Sequence, residues 1–271
     1  MSLATLMYHD VVSGGRWDES GFAGSAAAHY KLDAANFHAH LDALLAAGVA
    51  FAEPDAVAAG GREGCLLTFD DGGASASAVG KIMSRRGVRG CFFITTSRIG
   101  TPGFVGARDL LELRRDGHLI GSHSHTHPAN IARLDARALH EEWRRSVDIL
   151  EQLLGEPVHA ASVPGGFMSP SVRSAAEAAG IRTLFTSEPT TRAWHTGSCA
   201  ILGRYALLRE SAPGTAVALA AGGGARLRQW AAWNVKKPLK RWAGPVYRFT
   251  RAQWLHGRLS SHRDPTAAPR E

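Results

Sequence analysis

Residues 65–72 read Cys65-Leu66-Leu67-Thr68-Phe69-Asp70-Asp71-Gly72, an apolar run of strand length that stops on two carboxylates and a glycine. A second run, Leu119-Ile120-Gly121-Ser122, stops in a similar way on His123-Ser124-His125-Thr126-His127-Pro128. Working outward, comparable short runs occupy 3–8, 91–95, 158–162, 182–185 and 201–205. Helical periodicity fills the intervals 34–47, 75–86, 107–116, 135–154 and 171–179. The clearest is 135–154, where Leu139, Trp143, Val147, Leu150 and Leu154 recur at three- and four-residue steps. Asp135 is placed to cap its start, and Gly155 with Pro157 to stop it. Strand and helix in alternation imply parallel strands joined by right-handed crossovers, hence a barrel or an open doubly wound sheet. About seven strands in roughly 200 residues suit an incomplete (β/α) barrel, in which chemistry gathers at the C-terminal strand ends.

Two further runs end in polar groups: the first in Tyr8-His9-Asp10, and 158–162 in Ser162-Val163-Pro164-Gly165-Gly166-Phe167. Adjacent carboxylates behind an apolar strand are costly unless a bound cation or a shared proton compensates them. Neighbouring strand residues point in opposite directions, so Asp70 and Asp71 can take different tasks at one site. Histidines four apart can converge on one metal, and one carboxylate with two imidazoles leaves coordination positions open for water. Plainer readings exist. Asp-Asp-Gly is also a turn sequence, a His pair is often surface or core, and His125 is either an alternative ligand or a bystander. Both features at strand ends of one topology favour a site.

Thr68-Phe69-Asp70-Asp71-Gly72 together with His123-Ser124-x-x-His127-Pro128 resembles the first two signature motifs of the NodB-homology polysaccharide deacetylases, carbohydrate esterase family four. Tyr8-His9-Asp10-Val11 is similar to the opening strand of the branch that acts on poly-N-acetylglucosamine-type exopolysaccharides. The resemblance covers about residues 3–205 and implies a distorted (β/α) barrel. It further implies Asp70 as general base, Asp71, His123 and His127 as ligands of a divalent metal, with zinc expected, and an N-acetylated glycan or lipid-linked sugar as substrate. The metal would polarise the acetyl carbonyl and acidify a bound water. A backbone N–H of the third motif completes the oxyanion site in such proteins, which points here to Gly165 and Gly166, although Pro164-Gly165 also reads as a plain turn.

The chain departs from the family pattern in three places. Ser162 stands where an arginine usually pairs with the base. Leu202-Gly203-Arg204 replaces a late Leu-x-His, and arginine cannot deliver a proton at neutral pH. His9 and His195 are then the candidate proton donors, His9 preferred because it ends a strand. Thr186-Ser187-Glu188-Pro189 replaces an Asp-Trp pair, and we expect Glu188 and Arg204 on the substrate side.

The 271 residues are 45% apolar, enough for a sizeable core. Cys65, Cys91 and Cys199 are odd in number and widely spaced, so we read them as reduced and structural. Residues 1–210 hold 20 Lys and Arg against 22 acids, whereas residues 211–271 hold 11 against 2. The chain therefore divides into a barrel over 1–210 and a basic, Trp-rich extension over 211–271. Within residues 226–258, Trp230, Trp233, Trp242 and Trp254 interleave with Lys and Arg, as in a helix that lies on an anionic membrane. Packing of those rings on the barrel is the alternative, and nucleic acid is disfavoured because nothing in the barrel supports it. With neither a secretory leader nor a spanning run at hand, the expected location is cytoplasmic, peripheral on the inner membrane face. Two other functions compete with the deacetylase: a glycan-binding protein that lost turnover, suggested by Ser162 and Arg204, and an interaction module recruited to glycan assembly. The retained Asp70 argues for the enzyme.

Overall fold

The computed structural model describes the backbone of residues 2–242 and the side chains of residues 2–235. In chain order the elements are β1 (Ala4–Tyr8), β2 (Val11–Val12), α1 (Ser25–Ala28), β3 (Leu32–Asp33), α2 (Ala34–Ala46), α3 (Pro54–Ala58), β4 (Cys65–Phe69), α4 (Ser75–Ser84) and β5 (Gly90–Ile94). There follow α5 (Ala107–Arg115), β6 (Leu119–Ser122), α6 (Ala136–Leu154), β7 (Ala160–Ser162), α7 (Pro170–Ala178), β8 (Thr183–Phe185), β9 (Trp194–Thr196), β10 (Cys199–Leu202), β11 (Tyr205–Ala206), α8 (Pro213–Ala221) and α9 (Gly224–Trp242). Nine strands form one curled sheet in the order β11-β1-β4-β5-β6-β7-β8-β10-β9. All its pairings are parallel except β9 with β10, so the expected distorted (β/α) barrel is present with an added antiparallel edge strand.

Every residue of β1, β4 and β5 is buried, because parallel strands are covered on both faces. Alternation along them divides the core. Leu66, Cys91, Phe93, Phe185 and Leu202 form one cluster on the concave side. Leu67, Phe69 and Phe92 join the larger cluster against the helices, which includes Leu139, Trp143, Val147 and Leu150 of α6. Each such side chain contributes roughly 1.5–3 kcal/mol by leaving water. The Asp135 carboxylate accepts from the Ala138 N–H at 2.8 Å, and Gly155 ends α6 in the left-handed conformation.

The run 201–205 is not one strand. β10 lies beside β8, β11 lies beside β1 at the far end of the sheet, and only Gly203 and Arg204 stand between them. Three backbone steps span at most roughly 11 Å, so the two ends of the sheet curl to a narrow seam. At Gly203 a Cβ would lie 2.4 Å from the Glu188 carbonyl oxygen, so only glycine fits there. The free edge of β11 is occupied by Gln229 of α9, whose amide accepts from the Ala206 N–H (3.1 Å) and donates to the Ala206 carbonyl (2.7 Å). Helix α8 packs on α2 and β1, with Ala216 and Leu219 in the main core. The boundary expected at residue 210 thus falls just before a helix of the barrel wall. The basic segment 226–258 is helical through Trp242, and residues 243–258 lie outside the described residues.

Candidate metal centre and active site

Asp71, His123 and His127 meet at the C-terminal ends of β4 and β6, with one ligand atom from each within 4.8 Å of the others. Asp71 Oδ1 is 3.4 Å from His123 Nε2 and 3.6 Å from His127 Nε2. The backbone bends to bring them there. Among the described residues, the only non-glycine residues with positive φ are Asp71 (78°), Ser124 (64°) and His127 (56°). Each is uncommon outside glycine and costs on the order of 1 kcal/mol or more, so surrounding contacts must hold it. For His127 the holding bond is its N–H to the Ser124 hydroxyl at 3.2 Å. The turn at Asp71 also breaks strand alternation: Asp70 enters the barrel while Asp71 swings to the histidines.

The donor set fits a divalent metal. His123 Nδ1 donates to the Ser162 carbonyl at 2.9 Å, which turns Nε2 towards Asp71 as the atom that would give its proton up to bind a metal. Burial, reinforced by the neighbouring His123, lowers His127 to about 4, so its ring is neutral at neutral pH and has a lone pair to offer a metal. Burial opposes charge on His123 as well, but Asp70 and Asp71 outweigh it and raise its pKa. Burial likewise opposes charge on Asp71, and the bond from His123 with His9 and His127 nearby lowers its pKa on balance.

Asp70 is 5% exposed and Arg204 is 0% exposed. The guanidinium meets the carboxylate end on, Nη1 to Oδ1 at 2.7 Å and Nη2 to Oδ2 at 2.8 Å. Its other donors reach the Thr186 carbonyl (3.1 Å), Thr68 Oγ1 (3.2 Å) and Ser162 Oγ (2.8 Å), so all five N–H groups are satisfied. Ser162 Oγ donates in turn to Asp70 Oδ2 at 3.2 Å. Burial pushes the Asp70 carboxyl up, but Arg204, with His123 and His9, holds it well below the usual carboxylate range. This corrects one expectation, since Arg204 lies against Asp70 rather than on the substrate side, and it supplies there the cation that Ser162 does not.

His9 ends β1 close enough to lower both aspartates, and its Nδ1 is buried with no hydrogen-bond partner. His195 is not brought to the site. It is exposed on edge strand β9, opposite Ala200, towards the N-terminal end of β10. His125 stands outside the three-residue cluster, its Nδ1 2.9 Å from Thr96 Oγ1. Gly165 (φ 61°) is exposed, and Gly166 (φ 67°) commits its N–H to the Val163 carbonyl at 3.0 Å, which leaves Gly165 the better placed of the two expected donors. Glu188 is half-buried, with its carbonyl accepting from the Arg204 N–H at 2.9 Å.

The sequence reading missed the support behind the ligands. Asp10, 2% exposed, accepts from Ser20 (2.6 Å) and Ser75 (2.9 Å), and a Cβ on Gly73 would lie 1.9 Å from its Oδ1. Buried Lys31 gathers the carbonyls of Trp17, Ser20 and Phe22, each at 2.6 Å. That loop sets the Phe22 ring 4.7 Å from His127. The glycine after Asp71-Gly72 and the aspartate after His9 were the available signals.

No curated protein matches the chain. Solved structures match its fold: IcaB from Ammonifex degensii (20% identity, 81% of this chain and 96% of that chain, TM-score 0.64) and the Streptococcus pyogenes deacetylase PplD in complex with acetate (17%, 79% and 96%, 0.63). A de-N-acetylase from Aggregatibacter actinomycetemcomitans matches at 18% identity over 85% of this chain and all of that one, with TM-score 0.64. Residues 59–184, which carry Asp70, Asp71, His123, His127 and Gly165, match the family described as polysaccharide deacetylase.

Proposed function

We propose that the protein removes N-acetyl groups from a polysaccharide or glycan precursor in a metal-dependent hydrolysis. The observation that carries this reading is Asp70, an ionised and fully hydrogen-bonded carboxylate, set beside the Asp71-His123-His127 cluster. A divalent metal held by those three, zinc in our reading, would polarise the acetyl carbonyl and acidify the attacking water. Asp70 is placed to take a proton from the attacking water, and Arg204 with Ser162 keeps the carboxylate charged and aimed. As the carbonyl carbon becomes tetrahedral, the Gly165 N–H meets the growing negative charge on its oxygen. His9 gives a proton to the departing amine as the C–N bond breaks, so that acetate and a free amine leave. The unpartnered Nδ1 is the feature of His9 that supports this role. A fold that kept glycan binding without turnover has no use for an oriented base, and this favours the enzyme.

The test is acetate release from short N-acetylglucosamine oligomers, before and after chelation and with zinc restored. Release that chelation abolishes and zinc restores is the expected result. Zinc bound without any release would leave a binding protein.

A further inference from the structure

Five large apolar side chains are exposed among the described residues, and three of them, Leu227 (65%), Trp230 (50%) and Val235 (71%), fall within nine residues of α9. Leu227 and Trp230 border an open groove with Pro189, Thr190 and Thr191, and much of each side chain is left to solvent. The helix is anchored through other positions: Ala225 is buried, Arg226 donates to the carbonyls of Leu219 and Ala220 (both 2.7 Å), and Gln229 caps β11. Helix α9 also contains Arg226, Arg228, Lys236, Lys237, Lys240 and Arg241, while residues 211–263 contain no Asp or Glu. No helix among the described residues is long and apolar enough to cross a bilayer. Exposed apolar side chains that include a tryptophan, on a helix whose charged residues are all cations, match the boundary of an anionic membrane, where rings and aliphatic chains enter the headgroup layer and cations meet lipid charge.

We infer that helix α9 docks the protein on an anionic lipid surface. Trp233 of this helix lies 3.5 Å from the place a Cβ would take on Gly166, so docking sets the membrane beside the candidate oxyanion turn. The substrate class that follows is an N-acetylated sugar carried at the lipid surface, and this second step rests on the deacetylase reading. The docking step does not.

Co-sedimentation of the full chain with phosphatidylcholine vesicles, with and without phosphatidylglycerol, reads the docking directly. Binding should require the anionic lipid and weaken as salt rises from about 0.05 to about 0.5 M. Trp230→Glu and Leu227→Glu should each lower the partition coefficient about tenfold or more, since each adds charge as it removes apolar contact. Leu45→Glu and Leu111→Glu, exposed elsewhere, should leave it unchanged. No binding to anionic vesicles at low salt, or equal losses in all four variants, overturns the docking. A Trp230→Glu variant that binds vesicles normally but has a raised KM on soluble oligomers also overturns it, in favour of a sugar-stacking face. Acetate release from a vesicle-anchored N-acetylglucosaminyl lipid should exceed release from the soluble oligomer, and Trp230→Glu should abolish only the excess. Vesicle binding with no release from either substrate counts against the deacetylase reading and leaves the docking standing.

Discussion

Replacing Arg204 with methionine removes the cation from Asp70 while keeping a long side chain in the seam. The two side chains are 0% and 4% exposed, so neither charge has water to fall back on. Breaking such a pair from one side leaves a buried carboxylate uncompensated, at a cost of about 3–5 kcal/mol. The pH dependence has a definite sign. In the folded wild type Asp70 is held below the roughly 3.9 of an unfolded aspartate, so its charge stabilises the fold above that value, and the contribution is lost as pH falls through the folded pKa. In the variant, burial, the largest influence on this group, is no longer outweighed by the guanidinium, and the carboxyl moves up. That adds a penalty which accumulates only above about pH 4. Urea unfolding should therefore show a larger deficit at about pH 7.5 than at about pH 4.5. Asp70→Asn with Arg204→Met, which removes both charges, should recover much of it. The acidic limb of the activity profile of Arg204→Met should also shift to higher pH. Equal deficits at both pH values, or a double variant no more stable than the single, would refute the assignment of Arg204 as the partner that keeps the base ionised.

Asp70→Asn should retain zinc and lose acetate release, whereas His123→Ala should lose both; metal analysis beside an acetate assay separates a base from a ligand. Zinc binding should release about one proton near pH 6, because His123 titrates above its ordinary value while His127, at about 4, is already neutral. Calorimetry in buffers of different ionisation enthalpy measures this, and a heat independent of buffer would contradict it. His9→Gln should lower kcat about a hundredfold or more with zinc retained, and His195→Gln should leave kcat unchanged. Equal effects of the two would remove His9 from the reaction.

The convergence of Asp71, His123 and His127 was legible because metal chemistry demands particular residue types, and strand-end topology restricts where they can meet: Asp71 and His123 close two apolar runs, with His127 four residues on. The Asp70–Arg204 pair was not legible, since its members stand 134 residues apart and meet only because the sheet curls. A fully buried arginine at the end of an apolar run does demand a buried anion, and Asp70 was available. The split of 201–205 into β10 and β11 was hidden for a similar reason: each half is apolar, and only Gly203 marks the change of neighbours. Helix α8 escaped because Ala-rich sequence gives little contrast between its faces. The left-handed turns at Ser124 and His127 had no local signal, as tertiary contacts impose them against preference.

The seam between β10 and β11 has a consequence for the order of events on folding. β1 is made first on the ribosome, yet its outer partner β11 pairs Leu6 with Tyr205, among the most distant contacts in the chain. Closing a loop of that length costs about 5 kcal/mol in chain entropy, and little repays it until the sheet is nearly whole. Arg204 arrives with that last strand. The guanidinium of Arg204 and the carboxylate of Asp70 therefore come together only with the pairing of elements that lie far apart in the sequence.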